Sequence, residues 1–486
     1  MSGISYRRVA SFRSAREVAC HLESLGWPMP VRDAISPAPT SSLAQPLRID
    51  GPRKSLIVGN RFAAQPMEGW DGELEGRPSD LTRRRWLRMA TSGAKLIWGC
   101  EAVAVLPEAR ANPNQLVLNE TTAEDFKALR LEMVEAHRRR FGTADDLAIG
   151  LQLTHSGRFC RPHEKTKLEP VIAYHHPILD LKYPPAAQCE PISDADIKRI
   201  VGAFANAARL AASAGFDFID LKSCHGYLGH EFLSAYHRAG VYGGCFENRT
   251  RFLKELIAAV RASAPGLEIG VRLSAHDSVP FAVDLATGRG QPVEHTIPYT
   301  WAFGADPDHP TQPALAEAKC LLRMVHELGV RLVNITAGSP YYSAHLQRPA
   351  LFPPCDTYLP PEDPLAGAAR LQHAARDLKA EAPDTVIVSS GWSYFQEYLP
   401  HFAEATVEQH WSDSIGLGRV VLSYPDLPVD VLEGRSLDRK KLCRTFSDCT
   451  NGPRKGLISG CYPLDAFYRE RPEAAQLRAL KQNGMK

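Results

Sequence analysis

Phe216 to Phe252 reads FDFIDLKSCHGYLGHEFLSAYHRAGVYGGCFENRTRF. Its opening run, Phe218-Ile219-Asp220-Leu221, follows Gly215 and is too short for a helix, so it predicts a buried strand. The strand runs into a polar cluster of Lys222, Cys224, His225 and Tyr227. A cation, an imidazole and a phenol at the end of a strand match the place where barrel enzymes keep their chemistry. The plain alternative is a loop of solvated polar residues.

Working outward, seven more strand-like runs appear: Arg61–Gln65, Lys95–Trp98, Ala148–Leu153, Glu268–Leu273, Leu332–Ile335, Thr385–Val388 and Ser414–Leu417. Amphipathic stretches separate many of them, at Leu81–Ser92, Ala123–Phe141, Asp194–Ser213, Asn248–Ala264, Leu315–Leu328 and Pro364–Ala380. This alternation predicts parallel strands with helical crossovers. Eight units point to a (β/α)8 TIM barrel over residues 51–470, with a C-terminal tail at 471–486. A doubly wound open sheet is the alternative, but no glycine-rich turn follows the first strand. Residues 1–50 form an N-terminal extension, with a short helix expected over Ala15–Leu25 and a Pro- and Ser-rich linker or wrap from Ser36 to Pro46. Long insertions follow strands 3 and 5, at Phe159–Ile192 and Ala275–Pro313, and are expected over the barrel mouth. The first carries His163, His175 and His176, whose spacing matches no familiar metal-ligand motif.

The composition is that of an ordinary globular protein: 486 residues, 44% hydrophobic and 23% charged. A net charge of +2 gives no case for nucleic acid or an anionic membrane. No apolar run reaches transmembrane length, and the N-terminus lacks the apolar core of a signal peptide. Eleven cysteines in so long a chain predict a reducing cytoplasm rather than a disulfide framework. A small-molecule substrate is expected, and a homo-oligomer is compatible with the sequence.

The segments CHGYLGHEFLSA and YGGCFENRTRF resemble, at the same spacing, HGAHGYLLHQFLSP and YGGSxENRxRF of the Old Yellow Enzyme-type NADH:flavin oxidoreductases. That family includes the barrel domain of bacterial 2,4-dienoyl-CoA reductase, and the resemblance runs from about Ser55 to Tyr468. It implies bound FMN, with NADH or NADPH as reductant, and hydride transfer through the flavin to an alkene conjugated to a carbonyl. Flavin-dependent dehydrogenation of the amine-oxidising type is an alternative within the class.

The same resemblance assigns residues. Gln65-Pro66-Met67-Glu68-Gly69 is similar to the family's APM element, which lies against the flavin. Cys100 to Arg110, CEAVAVLPEAR, is similar to SEATAVSPEGR and makes Ala102 a flavin contact. Gln152 in LQLTHSGR takes the place of the Gln on the flavin pyrimidine edge. Arg272 in GVRLS takes that of the Arg near flavin N1 and O2, where a guanidinium stabilises negative charge on the reduced ring. Gly391 in SSGWS, with Gly418 and Arg419 in SDSIGLGRVVLSYPDL, corresponds to the phosphate site. His225 and Tyr227 fall on a carbonyl-gripping residue and the proton donor. Lys222 stands where the family has a His, which opens a rival reading from another class, a Schiff-base lyase with Lys222 as nucleophile.

The C-terminal CRTFSDCTNGPRKGLISGCYPLD is similar to the region that binds a [4Fe–4S] cluster in dienoyl-CoA reductases. Cys449 and Cys461 fit two ligand positions, but Leu442 and Thr445 occupy the other two and Cys443 is one residue off. Four thiolates are needed, so no cluster and no metal is expected. About 25 residues follow Cys461, so the FAD- and NAD(P)H-binding domains that the cluster serves in long relatives are not expected.

Overall fold

A computed structural model describes residues 6–52 and 54–482; the first five residues of the N-terminal extension and the last four of the C-terminal tail lie outside the described residues. Thirteen strands occur there in chain order: β1 (Leu47–Asp50), β2 (Ser55–Val58), β3 (Phe62–Ala64), β4 (Leu96–Ile97), β5 (Ala102–Ala104), β6 (Ala148–Thr154), β7 (Phe218–Ser223), β8 (Glu268–Ser274), β9 (Phe281–Val283), β10 (Gly290–Pro292), β11 (Leu332–Thr336), β12 (Val386–Ser389) and β13 (Ser414–Leu417). Eight of them close a parallel barrel in the order β3-β4-β6-β7-β8-β11-β12-β13 and back to β3. These eight are the eight runs read from the sequence. They carry near-continuous apolar residues because both faces are covered, one by the barrel interior and one by the outer helices.

The crossover helices form where the 3.6-residue period predicts them, and polar caps fix the starts of some. Ser79 Oγ accepts from Thr82 N ahead of Asp80–Ala90, and Ser193 Oγ accepts from Asp196 N ahead of Asp194–Ser213. Each cap satisfies an N–H that the helix itself leaves unpaired.

Two features extend the sequence reading. β1 and β2 pair as an antiparallel hairpin, and its Leu47, Ile49, Leu56 and Val58 pack against Trp98, Phe218, Leu332 and Val388 at one end of the barrel. β5 is a short continuation beside β6, offset from β4 by the turn at Gly99-Cys100. The expected N-terminal helix forms at Ala15–Ser24, and the following segment wraps the outer helix Leu399–Glu408, where Ser36 N donates to Glu404 and Ser42 Oγ to the Glu404 carbonyl. At the other terminus, Pro472–Gln482 is helical and buries Ala474 and Leu477 against Tyr462 and Tyr468.

The two insertions pack on each other, with the Tyr299 hydroxyl 3.1 Å from His176 Nε2. His176 is buried, and its Nδ1 accepts from Ile178 N and Leu179 N. His163 and His175 are exposed and pair with Glu169 and Asp180. The three histidines therefore serve the surface and the insertion's own fold.

Candidate active site

Strand register assembles the site. β6 and β7 place Gln152 opposite Asp220, and β7 and β8 place Lys222 opposite Arg272. Asp220 is fully buried among the apolar Phe218, Ile219 and Leu221 of β7. It accepts from Gln152 Nε2 at 2.5 Å, Trp98 Nε1 at 2.8 Å and the Arg272 backbone N–H at 2.6 Å. Burial pushes its carboxyl up, while these donors act in the opposite direction. The result is one carboxylate that holds the Gln152 side chain and the Arg272 backbone.

The strand ends open on a cavity at the barrel mouth. Ten of the residues singled out from the sequence line it: Pro66, Met67, Gln152, Lys222, His225, Tyr227, Arg272, Gly391, Gly418 and Arg419. Ala102 is placed differently. It lies in β5, 1% exposed, its carbonyl accepting from Gln115 Nε2, and it does not line the cavity.

Backbone strain marks the turn after β7. His225 and Gly226 have φ of 67° and 76° in succession. A Cβ on Gly226 would sit 2.9 Å from the Tyr342 ring, so glycine is required there by space as well as by conformation. The left-handed His225 is held by Ser339 Oγ donating to its carbonyl at 2.8 Å and by its own N–H on Ser274 Oγ at 3.2 Å. Burial, with the charges of Arg272 and Lys222, pushes the imidazole well below its ordinary value, so His225 is neutral. Burial and the Glu68 charge push the Tyr227 phenol well up, so it holds its proton.

Several residues of the cavity were not singled out as site residues. Glu68 pairs with Lys222 at 2.8 Å and accepts from the Tyr227 phenol at 3.4 Å. The Tyr341 hydroxyl lies 3.1 Å from that of Tyr227. Gln65 donates to Asn334 Oδ1 and Ser390 Oγ and accepts from Arg272 Nη2. Asp220 had a signal, a carboxylate inside an apolar run. Tyr341 and Arg348 come from the loop after β11, where no motif was recognised.

The loop after β3 is fixed from behind. Glu101 accepts from Gly69 N at 2.8 Å and pairs with Arg85, which also pairs with Asp71; all three are buried. The loops after β12 and β13 are tied by Val420 N donating to Ser393 Oγ at 3.1 Å.

The donor set fits a flavin nucleotide. Arg272 Nε and Arg419 Nη1 are buried without protein partners, and buried donors of this kind require a partner. Gly391 takes a φ of 94°, and a Cβ on Gly418 would lie 3.5 Å from Met67 Sδ at the cavity wall. Among the described residues no group of three or more His, Cys, Asp or Glu is arranged to hold a metal ion. Cys443, Cys449 and Cys461 are free thiols, and Leu442 is 1% exposed within the hydrophobic core. No helix among the described residues is long and apolar enough to cross a membrane.

Comparison with known proteins agrees with this geometry. Residues 43–289 match the model of the NADH:flavin oxidoreductase / NADH oxidase family. An NADPH dehydrogenase of Geobacillus thermodenitrificans is 30% identical over 383 residues, 77% of this chain and 90% of that protein. An NADPH dehydrogenase of Bacillus velezensis is 34% identical over 237 residues, and that match spans 48% of this chain and 64% of the relative's length. The solved structure of an old yellow enzyme homologue from Zymomonas mobilis shares the fold, with a TM-score of 0.55 at 19% identity over 82% of this chain and 94% of the other. FMN as cofactor and NADH or NADPH as reductant, expected from the motifs, are those of the matched family. A closed parallel barrel, the carboxylate-anchored Gln152 and Arg272, and a family model that covers half of the chain lead to one conclusion: the chain belongs to the NADH:flavin oxidoreductase / NADH oxidase family.

Proposed function

We propose that this protein is an FMN-dependent oxidoreductase that takes reducing equivalents from NADH or NADPH and delivers hydride to an alkene conjugated to a carbonyl. The observation that carries the reading is the convergence of Lys222, neutral His225 and protonated Tyr227 in the cavity that Gln152 and Arg272 also line. FMN, when bound, supplies the ring that accepts and donates hydride.

The chain's residues do the rest. Gln152 and Arg272, held by Asp220, would face the pyrimidine edge, and Pro66 and Met67 the ring, with Ala102 behind this wall. Gly391, Gly418 and Arg419 would take the phosphate. Lys222 and His225 donate hydrogen bonds to the substrate carbonyl oxygen and draw charge from the alkene. Tyr227 holds the proton that the α carbon receives, and its bonds to Glu68 and Tyr341 fix the phenol.

The test is an absorbance spectrum followed by stopped-flow mixing. The purified protein should be yellow and release FMN, not FAD, on denaturation. NADPH or NADH should bleach the flavin, and 2-cyclohexenone should restore its colour without oxygen. A protein that cannot be reconstituted with FMN, or a reduced flavin indifferent to any conjugated enone, would reject the proposal.

A further inference from the structure

Lys222, Arg272, Arg348, Arg419 and Arg454 line the cavity, against Glu68 as the one carboxylate among the described lining residues. Glu68 is committed to Lys222, and Arg454 pairs with Asp356. Arg348 and Arg419 are left without an anion. Arg348 uses Nη1 on Thr450 Oγ1, while its Nε and Nη2 are buried with no partner. Arg419 uses Nη2 on the Pro349 carbonyl at 2.8 Å, and its Nη1 is buried with no partner. That bond brings the Arg419 guanidinium to the residue next to Arg348. Burial and then the charge of Arg419 push Arg348 down to about 10. The Cys449 thiol also lies beside Arg348.

Such a pair is costly unless an anion of matching charge and several acceptors sits between the two groups. A phosphate monoester carries about two negative charges and three strong acceptor oxygens, and it takes guanidinium forks two bonds at a time. Arg419 follows Gly418 at the end of the eighth barrel strand, where barrels hold phosphate.

We propose that Arg348, from the loop after β11, is a second guanidinium ligand of the flavin nucleotide's phosphate, closing on it opposite Arg419. The inference rests on the flavin reading above and goes beyond it. Arg348 would make the site selective for the phosphorylated flavin, and the loop after β11 part of cofactor retention.

The test compares FMN with riboflavin, which lacks the phosphate, by quenching of flavin fluorescence on titration with apoprotein. Arg348→Gln should raise the FMN Kd roughly ten- to hundred-fold, the worth of one charged hydrogen-bond partner, and leave riboflavin affinity unchanged. Arg348→Lys, which keeps the charge and loses the fork, should fall between. Inorganic phosphate should compete with FMN in the parent protein and compete less in Arg348→Gln. Because the substitution removes an unpaired buried cation, the Tm of the Arg348→Gln apoprotein should not fall below that of the parent, which reports the fold without activity. An unchanged ratio of FMN to riboflavin affinity in Arg348→Gln overturns the inference. Parent apoprotein that binds neither flavin overturns the flavin reading itself, and this inference with it.

Discussion

Lys222 Nζ lies 2.8 Å from Glu68 Oε1 and 3.9 Å from the centre of the Tyr227 ring, with the lysine side chain 3% exposed. The residue that departs from the family's histidine is therefore not loose in the cavity. One side of its Nζ meets a carboxylate and another an aromatic face. Schiff-base chemistry needs a free amine at this position, whereas the arrangement presents a hydrogen-bonded ammonium ready to donate to a substrate oxygen.

That relationship separates the oxidoreductase from the lyase. Borohydride added to enzyme and carbonyl substrate, followed by peptide mass mapping, should leave Lys222 unmodified. In parallel, Lys222→His should keep reduction of the flavin by NAD(P)H while slowing reoxidation by the native acceptor, because a point charge gives way to a differently placed donor. A substrate adduct on Lys222 would reverse the assignment.

Asp220 makes a sharper prediction because three donors converge on it. In Asp220→Asn, one oxygen becomes an NH2 group that must face the Arg272 N–H or the donors of Gln152 and Trp98. A donor facing a donor in a buried site costs about 1–3 kcal/mol. The urea midpoint should fall accordingly and FMN affinity should weaken with it, since Gln152 and Arg272 lose their common anchor. A variant that matches the parent in both measurements would show that the carboxylate does not orient the site.

How far the sequence was legible follows from where each signal is stored. Strand runs such as Phe218–Leu221 and helices such as Ala123–Phe141 are encoded by local periodicity, and the barrel followed from their alternation. Most of the site residues fall at strand ends or in the glycine turns after them, so motif and order placed them in one cavity. Partners distant in sequence were not legible. Glu68 meets Lys222 across 154 positions and Tyr227 meets Tyr341 across 114, and nothing local marks either pair. The β1–β2 hairpin was missed for a related reason: its role is to cover the barrel's end, which exists only after closure. Ala102 shows the converse, since the motif around it is present but the residue, in β5, pairs with Gln152 and does not line the cavity.

The buried trio Asp71, Arg85 and Glu101 predicts a large stability effect behind the cofactor loop. Arg85→Ala leaves two buried carboxylates with no cation between them, and breaking a buried pair by removing one partner costs about 3–5 kcal/mol. Glu101 also holds Gly69 N, so loss of FMN should accompany the loss of stability. Chemical denaturation of apoprotein and holoprotein checks this, and a midpoint unchanged from the parent would mean the network is not stabilising.

Acid should unfold the protein through its buried histidines. Burial pushes His155 down to about 4, His176 and His276 to about 3, and His225 well below its ordinary value. Each is neutral in the folded chain, while an unfolded histidine titrates near 6.5. Below that pH the unfolded chain binds protons that the folded chain refuses. Stability is thus fully present above about 6.5 and is lost as pH falls towards the folded values, at up to about 1.4 kcal/mol per pH unit for each histidine. Denaturant midpoints measured at pH 7.5, 6.0 and 5.0 should therefore drop steeply between the last two (pH values chosen about the unfolded histidine value). The drop should persist in apoprotein, because His155, His176 and His276 do not line the cofactor cavity. A flat midpoint across this window would show that the four imidazoles accept protons in the folded state, and would remove the basis for treating His225 as a neutral donor to the substrate oxygen.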